Sequence, residues 1–254
     1  MISLVFMQTT LDQLLKDAPA FGKKLDDIRG SVKHDFEWYA YSSMNNMQHL
    51  DQLLEGQYRN ITELAGGKPV ADIGAADGDM SFFLEKLGLK MHIIDHASTN
   101  INHLEGAKLL KKELKSNVEI HDVDLDAQFT LPHDDYGLVI FLGILYHLKN
   151  PFYALEYLSK VTRYCLVSTR VMRFTPGKKH DIDDMSLAYL VGEHELNDDP
   201  TNFWVFSNTG LKRLFDRTGW KIRGYKSLGD TESSTPDDMK HDERAFALLE
   251  STRK

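Results

Sequence analysis

The chain has 254 residues, enough for one sizeable domain and short for two. Its 30 Lys and Arg against 38 Asp and Glu leave a formal charge of −8, which argues against a nucleic-acid module held by bulk positive charge, and 42% hydrophobic residues exclude whole-chain disorder. One cysteine, Cys165, excludes an internal disulfide framework and a Cys-rich zinc site.

In chain order, residues 1–7 are apolar but lack a basic n-region and a long apolar core, a poor signal peptide. Leu11, Leu14, Leu15 and Ala18 recur at helical spacing, as do Leu50, Leu53, Leu54, Tyr58, Ile61 and Leu64. Between them, residues 34–41 form an aromatic stretch without a clear period, so 1–65 reads as a helical and aromatic cover. From Lys68 onward strand and helix alternate. Residues 69–73 predict a buried strand that ends in a Gly-rich turn, and 80–87 a helix stopped by Gly88. A second strand over 90–94 ends at Asp95, a helix covers 99–115, and a third strand covers 118–123. Residues 136–142 are almost wholly apolar, as a strand covered on both faces should be. The longest apolar run, 136–145, falls far short of the about 20 residues of a membrane span, so a cytoplasmic protein without a membrane partner is expected.

Asn150-Pro151 opens a helix, with Asn as cap and Pro at the first position, and a fifth strand covers 164–171. Residues 172–205 break the rhythm and read as an insertion. Ser207 can cap a helix over 209–218 that Gly219 ends. The last two strands, 220–227 and 244–251, have no helix between them and should pair antiparallel. The predicted fold over 66–254 is a doubly wound, mostly parallel α/β sheet of seven strands with an antiparallel edge.

The informative segment is Val70-Ala-Asp-Ile-Gly-Ala-Ala-Asp-Gly-Asp79, a strand running into a turn with Gly74 and Gly78. Glycine there lets the backbone approach a ligand. Asp95, twenty-one residues after Gly74, stands at the end of the second strand, where an acid can accept both hydroxyls of a ribose. After the third strand, Asp122, Asp124 or Asp126 can meet an adenine amino group; Asp124, followed by Leu125, is preferred. The G-x-x-x-G spacing is not the dinucleotide pattern, and Asp72, Asp77 and Asp79 would repel a pyrophosphate. A cationic nucleoside with an amino group fits better, which points to S-adenosylmethionine.

The run Asp72-Ile-Gly-Ala-Ala-Asp-Gly78 followed by Asp95 resembles the first two motifs of class I S-adenosylmethionine-dependent methyltransferases, whose Rossmann-like sheet also ends in an antiparallel hairpin. That resemblance implies cofactor contacts from Asp72, Gly74, Ala75, Gly78, Asp95, His96, Asp124, Leu125 and Gly143. Further on, Phe141-Leu-Gly-Ile-Leu-Tyr-His-Leu-Lys-Asn-Pro151 resembles the G-x-L-Y-H-x-x-x-P segment of the tRNA wobble-uridine carboxymethyltransferases. The likeness implies that Tyr146 and Arg244 meet the carboxylate of carboxy-S-adenosylmethionine. The Lys-bearing Trp-Arg-Lys-Gly-Pro-like stretch of that family is replaced here by Lys33 and the aromatic run 36–41.

His147, just past the fourth strand, reads as a general base or as a structural histidine bonded to a carbonyl. Tyr146 reads as a wall of the methyl channel or as core. Trp38, Tyr39 and Tyr41 are candidates for a lid, with Trp38 and Tyr41 chosen as substrate contacts beside Arg244. The insertion, with Glu193, His194, Glu195, Phe203 and Trp204, is where such enzymes place specificity. His180 with Asp181, Asp183 and Asp184 matches no ligand spacing, so no metal is assigned. Lys212, Arg213, Arg217, Lys221 and Arg223 form either a solvated face or a phosphate patch. Cys165 should be core. Three functions remain in play: methyl transfer to a small acceptor, methyl or carboxymethyl transfer to a tRNA wobble uridine, and a non-catalytic nucleoside-binding module.

Overall fold

The computed structural model describes residues 8–254; the 1–7 segment read above as a poor signal peptide lies outside them. In chain order the helices are α1 (Thr10–Ser31), α2 (Met47–Leu53), α3 (Ile61–Ala65), α4 (Asp79–Glu85), α5 (Glu105–Leu114), α6 (Pro151–Val161) and α7 (Asn208–Arg217). The strands are β1 (Val70–Ile73), β2 (Met91–Asp95), β3 (Glu119–Asp122), β4 (Tyr136–Leu142), β5 (Thr162–Met172), β6 (Ala188–Leu190), β7 (Trp204–Ser207), β8 (Trp220–Gly229) and β9 (Glu243–Ser251).

β1 to β5 pair in parallel in the order β3-β2-β1-β4-β5. β9 joins β5 antiparallel over Tyr164–Val171, and β8 joins β9, so the reversed strand lies second from the rim and β8 outermost. The predicted seven strands are present, and the insertion adds two more. β7 runs parallel to the last residues of β5, at Val171 and Met172, and carries β6 beside it.

The two faces of the sheet bury separate clusters, as a doubly wound sheet requires. Leu11, Phe21 and Leu25 of α1, Leu50 of α2, Ile61 of α3 and Phe83 of α4 pack against Val70, Met91 and Ile93. Leu155 and Leu158 of α6 and Leu211 and Phe215 of α7 pack against Ala71, Ile73, Val139 and Cys165 on the other face. The N-terminal helices therefore share a core with the sheet. Among the described residues no helix is long and apolar enough to cross a membrane.

Local chemistry sets several boundaries. Thr9 and Asp12 make a reciprocal capping box at the start of α1, and the buried stripe Leu11, Leu14, Phe21, Leu25 carries that helix through Pro19. The second predicted helix breaks at Gly56, whose φ is +54°, while Arg59 donates to the carbonyls of Asp51 and Leu54. Asn150 Oδ1 caps α6 through Tyr153 N at 3.1 Å, and Ser207 Oγ caps α7 through Gly210 N at 3.0 Å. α5 starts six residues later than predicted. Asn100 Oδ1 accepts from the Asn102 and Leu104 amides, which holds a non-helical turn ahead of the helix.

Candidate active site

Strand order reverses between β1 and β4, and a cleft of about 960 Å³ opens beyond the carboxyl ends of these strands. Tyr39, Tyr41, Ser42 and Asn46 flank it on one side, and Leu196, Asn197, Thr201 and Phe203 of the insertion flank it on another. Gly74 and Gly143, both with positive φ, end β1 and β4 at its floor. A Cβ on Gly74 would stand 2.0 Å from Ile144 Cδ1, so the turn admits no side chain while Ile144 keeps its place.

Asp95 ends β2 inside the cleft. Its Oδ1 accepts from His96 N at 2.8 Å, and its Oδ2 accepts from Asn100 Nδ2 at 3.1 Å and Ala76 N at 3.3 Å. Burial raises its carboxyl above the ordinary range, and these donors oppose that rise. A carboxylate has about four acceptor sites, so roughly one stays open to a ligand donor, where a ribose pair would engage two. The long Ala76 contact is the weakest of the three and the first to yield.

The three acids at and just beyond the end of β3 separate cleanly. Asp122 is exposed, accepts from Ala97 N at 2.9 Å, and does not line the cleft. Asp126 lines it but accepts from Lys149 N at 2.7 Å, fastening the loop after β4. Asp124 lines the cleft with Leu125, and its Oδ1 accepts from Asp126 N at 2.9 Å, which leaves Oδ2 without a partner among the described residues.

Asp72, Ala75 and Gly78 stand elsewhere than the sequence predicts: none lines the cleft. Asp72, within β1, is buried, accepts from Ser81 Oγ at 2.7 Å, and burial pushes its carboxyl up to about 7. Ala75 packs into the core, and Gly78 caps α4 with φ +83° against Ile93. Asp77 and Asp79 are buried too and serve the N-terminal segment. Asp77 accepts from Tyr39 N at 3.0 Å and Asn102 Nδ2 at 2.8 Å; Asp79 accepts from Ser42 Oγ at 2.6 Å and pairs with Arg29. Turned toward Arg29 and away from the cleft, Asp77 and Asp79 exert less pull on a cation there than their place in the turn suggests.

Trp38 is likewise outside the cleft: its Nε1 donates to His34 Nε2 at 3.0 Å and its ring lies under the Arg29 guanidinium. Tyr39 takes that place on the wall, its hydroxyl accepting from Ile101 N at 3.3 Å. Glu193, His194 and Glu195 are exposed and do not line the cleft.

At the β4 end, Tyr146, His147 and Arg244 come together on the wall. His147 Nδ1 lies 3.0 Å from the Thr201 carbonyl and 2.9 Å from the Thr201 hydroxyl, which itself donates to Asp199 Oδ1 at 2.6 Å. A carbonyl only accepts, so Nδ1 carries the proton and Nε2 is the basic nitrogen. Burial lowers the imidazole pKa, which favours the neutral form. The Arg244 guanidinium lies 5.5 Å from the Tyr146 ring centre, and its Nη1 donates to the Tyr146 hydroxyl at 3.4 Å.

Sequence reasoning missed two neighbours of this corner. Arg170 is 2% exposed in β5 and lines the cleft; its Nε stands 2.6 Å from Asp242 Oδ1 off hydrogen-bond geometry, and its Nη2 has no partner among the described residues. A lone Arg in the apolar run 164–172 was the available signal. His49 of α2 stacks on Phe246 at 4.7 Å, and nothing in its local sequence announces that.

A family model described as "Methyltransferase domain" matches residues 38–224. No curated protein matches the chain in sequence. Among solved structures, the chain is similar to the N-terminal domain of EvdMO1, determined with SAH and D-fucose, at 12% identity and a TM-score of 0.57, covering 92% of this chain and 97% of that one. It is similar to the [4+2]-cyclase SpnF at 13% identity and a TM-score of 0.56, covering 96% of each chain. A putative methyltransferase from Bacillus halodurans shares 12% identity and a TM-score of 0.54, over 75% of this chain and 96% of that one.

Proposed function

Because the chain belongs to the methyltransferase-domain family, we propose that it transfers a methyl group from S-adenosylmethionine to an oxygen or nitrogen of a small acceptor. The observation that carries this reading is the cleft itself. A partly open carboxylate at the β2 end and a basic imidazole nitrogen at the β4 end share one space of about 960 Å³, flanked by two segments of the chain. That volume suits a nucleoside cofactor with a small partner. SAH stands in the EvdMO1 structure, which supports the same cofactor here.

The residues present fit that cofactor. Asp95 would hold the ribose, Asp124 and Leu125 the adenine, and the glycine backbones of Gly74 and Gly143, with His96 beside them, would line its path. When bound, S-adenosylmethionine supplies a methyl carbon already activated by a sulfonium. The chain then has to orient the acceptor and keep out water, which by themselves remove much of a displacement barrier. Tyr39 and Tyr41 cover the cleft from the N-terminal side, and Phe203 covers it from the insertion. His147 Nε2 takes the proton of the attacking hydroxyl or amine, while the Thr201 carbonyl holds the ring in that tautomer.

This role has a pH signature. A base must be unprotonated, so activity falls as pH drops through its pKa. Burial lowers that pKa, so the acid limb of kcat/KM should lie below the ordinary imidazole value of 6.5. His147→Asn keeps a donor toward Thr201 and should cost about a hundredfold or more in kcat while erasing that limb. An unchanged limb in the variant would remove His147 from the proton transfer.

SpnF is described as a cyclase, so this fold by itself does not set the reaction. The deciding experiment supplies methyl-labelled S-adenosylmethionine to cell extract split into small-molecule and RNA fractions. Label in the small-molecule fraction is the expected result. Label confined to RNA would overturn the acceptor class, and binding without any transfer would favour a nucleoside-binding module.

A second reading rests on Arg244, Tyr146 and the unpartnered edge of Arg170. Two guanidinium groups face one carboxylate, Asp242, so this corner can receive an acidic group. Carboxy-S-adenosylmethionine, as used on tRNA wobble uridines, would place a carboxylate there. Calorimetric preference for the carboxy form, lost in Arg244→Ala, would support that reading, and preference for the methyl form would sink it.

A further inference from the structure

We propose that His92, Glu119 and His121 form a binding site for a divalent transition ion of the zinc class at the β2–β3 rim of the sheet, apart from the cleft. The parallel register sets His92 opposite Glu119 and Ile94 opposite His121. One ligand atom from each of the three residues falls within a single 4.8 Å cluster. Glu119 Oε1 lies 3.7 Å from His92 Nε2, and Oε2 lies 3.4 Å from His121 Nε2. An ion with bonds of about 2.0–2.1 Å in tetrahedral geometry separates its donors by roughly 3.3–3.4 Å, so small side-chain motions suffice.

Two further observations point to a ligand. The Nε2 atoms of His92 and His121 are both buried without a hydrogen-bond partner, and His92 as a residue is only 2% exposed. Buried polar nitrogens rarely go unpaired, and two aimed at one carboxylate call for a shared partner. The other nitrogen of His92, Nδ1, lies 3.0 Å from the Tyr136 hydroxyl, the kind of outer contact that orients a ligating imidazole. Two imidazoles and a carboxylate suit zinc, cobalt or nickel and not the oxygen-seeking magnesium or calcium. The Glu119 and His121 side chains are 44% and 28% exposed, which gives the ion a way in and water a fourth position.

Lys90 competes for the carboxylate, with Nζ 3.1 Å from Glu119 Oε1. No spacing motif marks the set, because His92 and Glu119 are far apart in the chain and only strand pairing joins them. The ion would clip the rim strand β3 to β2.

The test uses the whole chain freed of metal with a chelator. Zinc titration should show one site per chain and a rise in Tm with zinc concentration. Cobalt should give the intense visible bands of a tetrahedral site. His121→Ala and Glu119→Gln, both on the accessible side, should weaken zinc by about tenfold or more and abolish the bands. Lys90→Met should tighten binding. His194→Ala, an exposed histidine elsewhere, should change nothing. Circular dichroism of the metal-free variants checks that they fold. Zinc affinity unchanged in both ligand variants, or no binding to the parent chain, would overturn the proposal.

Discussion

Asp95→Ala is expected to weaken binding of S-adenosylmethionine by about tenfold to a hundredfold in calorimetry. A hydrogen bond to a charged group contributes about 1.5–3 kcal/mol, and the variant removes the acceptor proposed for the ribose. The same substitution frees the His96 and Ala76 amides and the Asn100 amide group that Asp95 holds. Asp95→Asn separates the two effects, since it retains one oxygen for the backbone but loses the charge. A parallel melting curve reports the structural share. Unchanged affinity in both variants would refute the ribose assignment, whatever the acceptor proves to be.

Arg29→Met is expected to destabilise the fold by about 3–5 kcal/mol in urea unfolding, because it leaves buried acids without their cation. The Arg29 side chain is 14% exposed, and the Asp77 and Asp79 side chains are each 2% exposed. Asp79 also holds Ser42, and Asp77 holds Tyr39, so the wall of the cleft hangs on the same cluster. Cofactor affinity should therefore fall along with stability. Adding Asp79→Asn to the variant should recover part of the loss, since Asn can still accept from Ser42 and carries no charge. A loss below about 1 kcal/mol would mean the pair behaves like one on the surface.

The Asp77–Asp79–Arg29 cluster also shows where sequence reading stops. Three acids around a glycine turn look like an electrostatic lure. Whether an acid faces a ligand or a buried arginine depends on how α1 lies across α4, with Arg29 fifty positions from Asp79. The same holds for Trp38 and Tyr39: adjacent aromatics look alike in the chain, yet one packs on Arg29 and the other on the cleft. The delayed start of α5 has a related cause, because helical periodicity does not reveal that Asn100 spends its side chain on Asp95 and on the turn.

What the sequence determined by itself is what local rules govern. Apolar runs and caps set the strand–helix alternation, and both Asn150-Pro151 and Ser207 begin helices as read. Parallel strands joined by helices can wind in few ways, so the ends of β1, β2, β3 and β4 had to meet, and Asp95, Asp124, Gly143, Tyr146 and His147 with them. Tertiary structure alone decided the rest. It chose which of the three acids at the end of β3 keeps an open oxygen, buried Asp72, Asp77 and Asp79, brought Arg170 and His49 to the cleft, and set His92 beside His121. Most of these are contacts between residues far apart in the chain, and burial and pairing at that distance leave no periodic trace in the sequence.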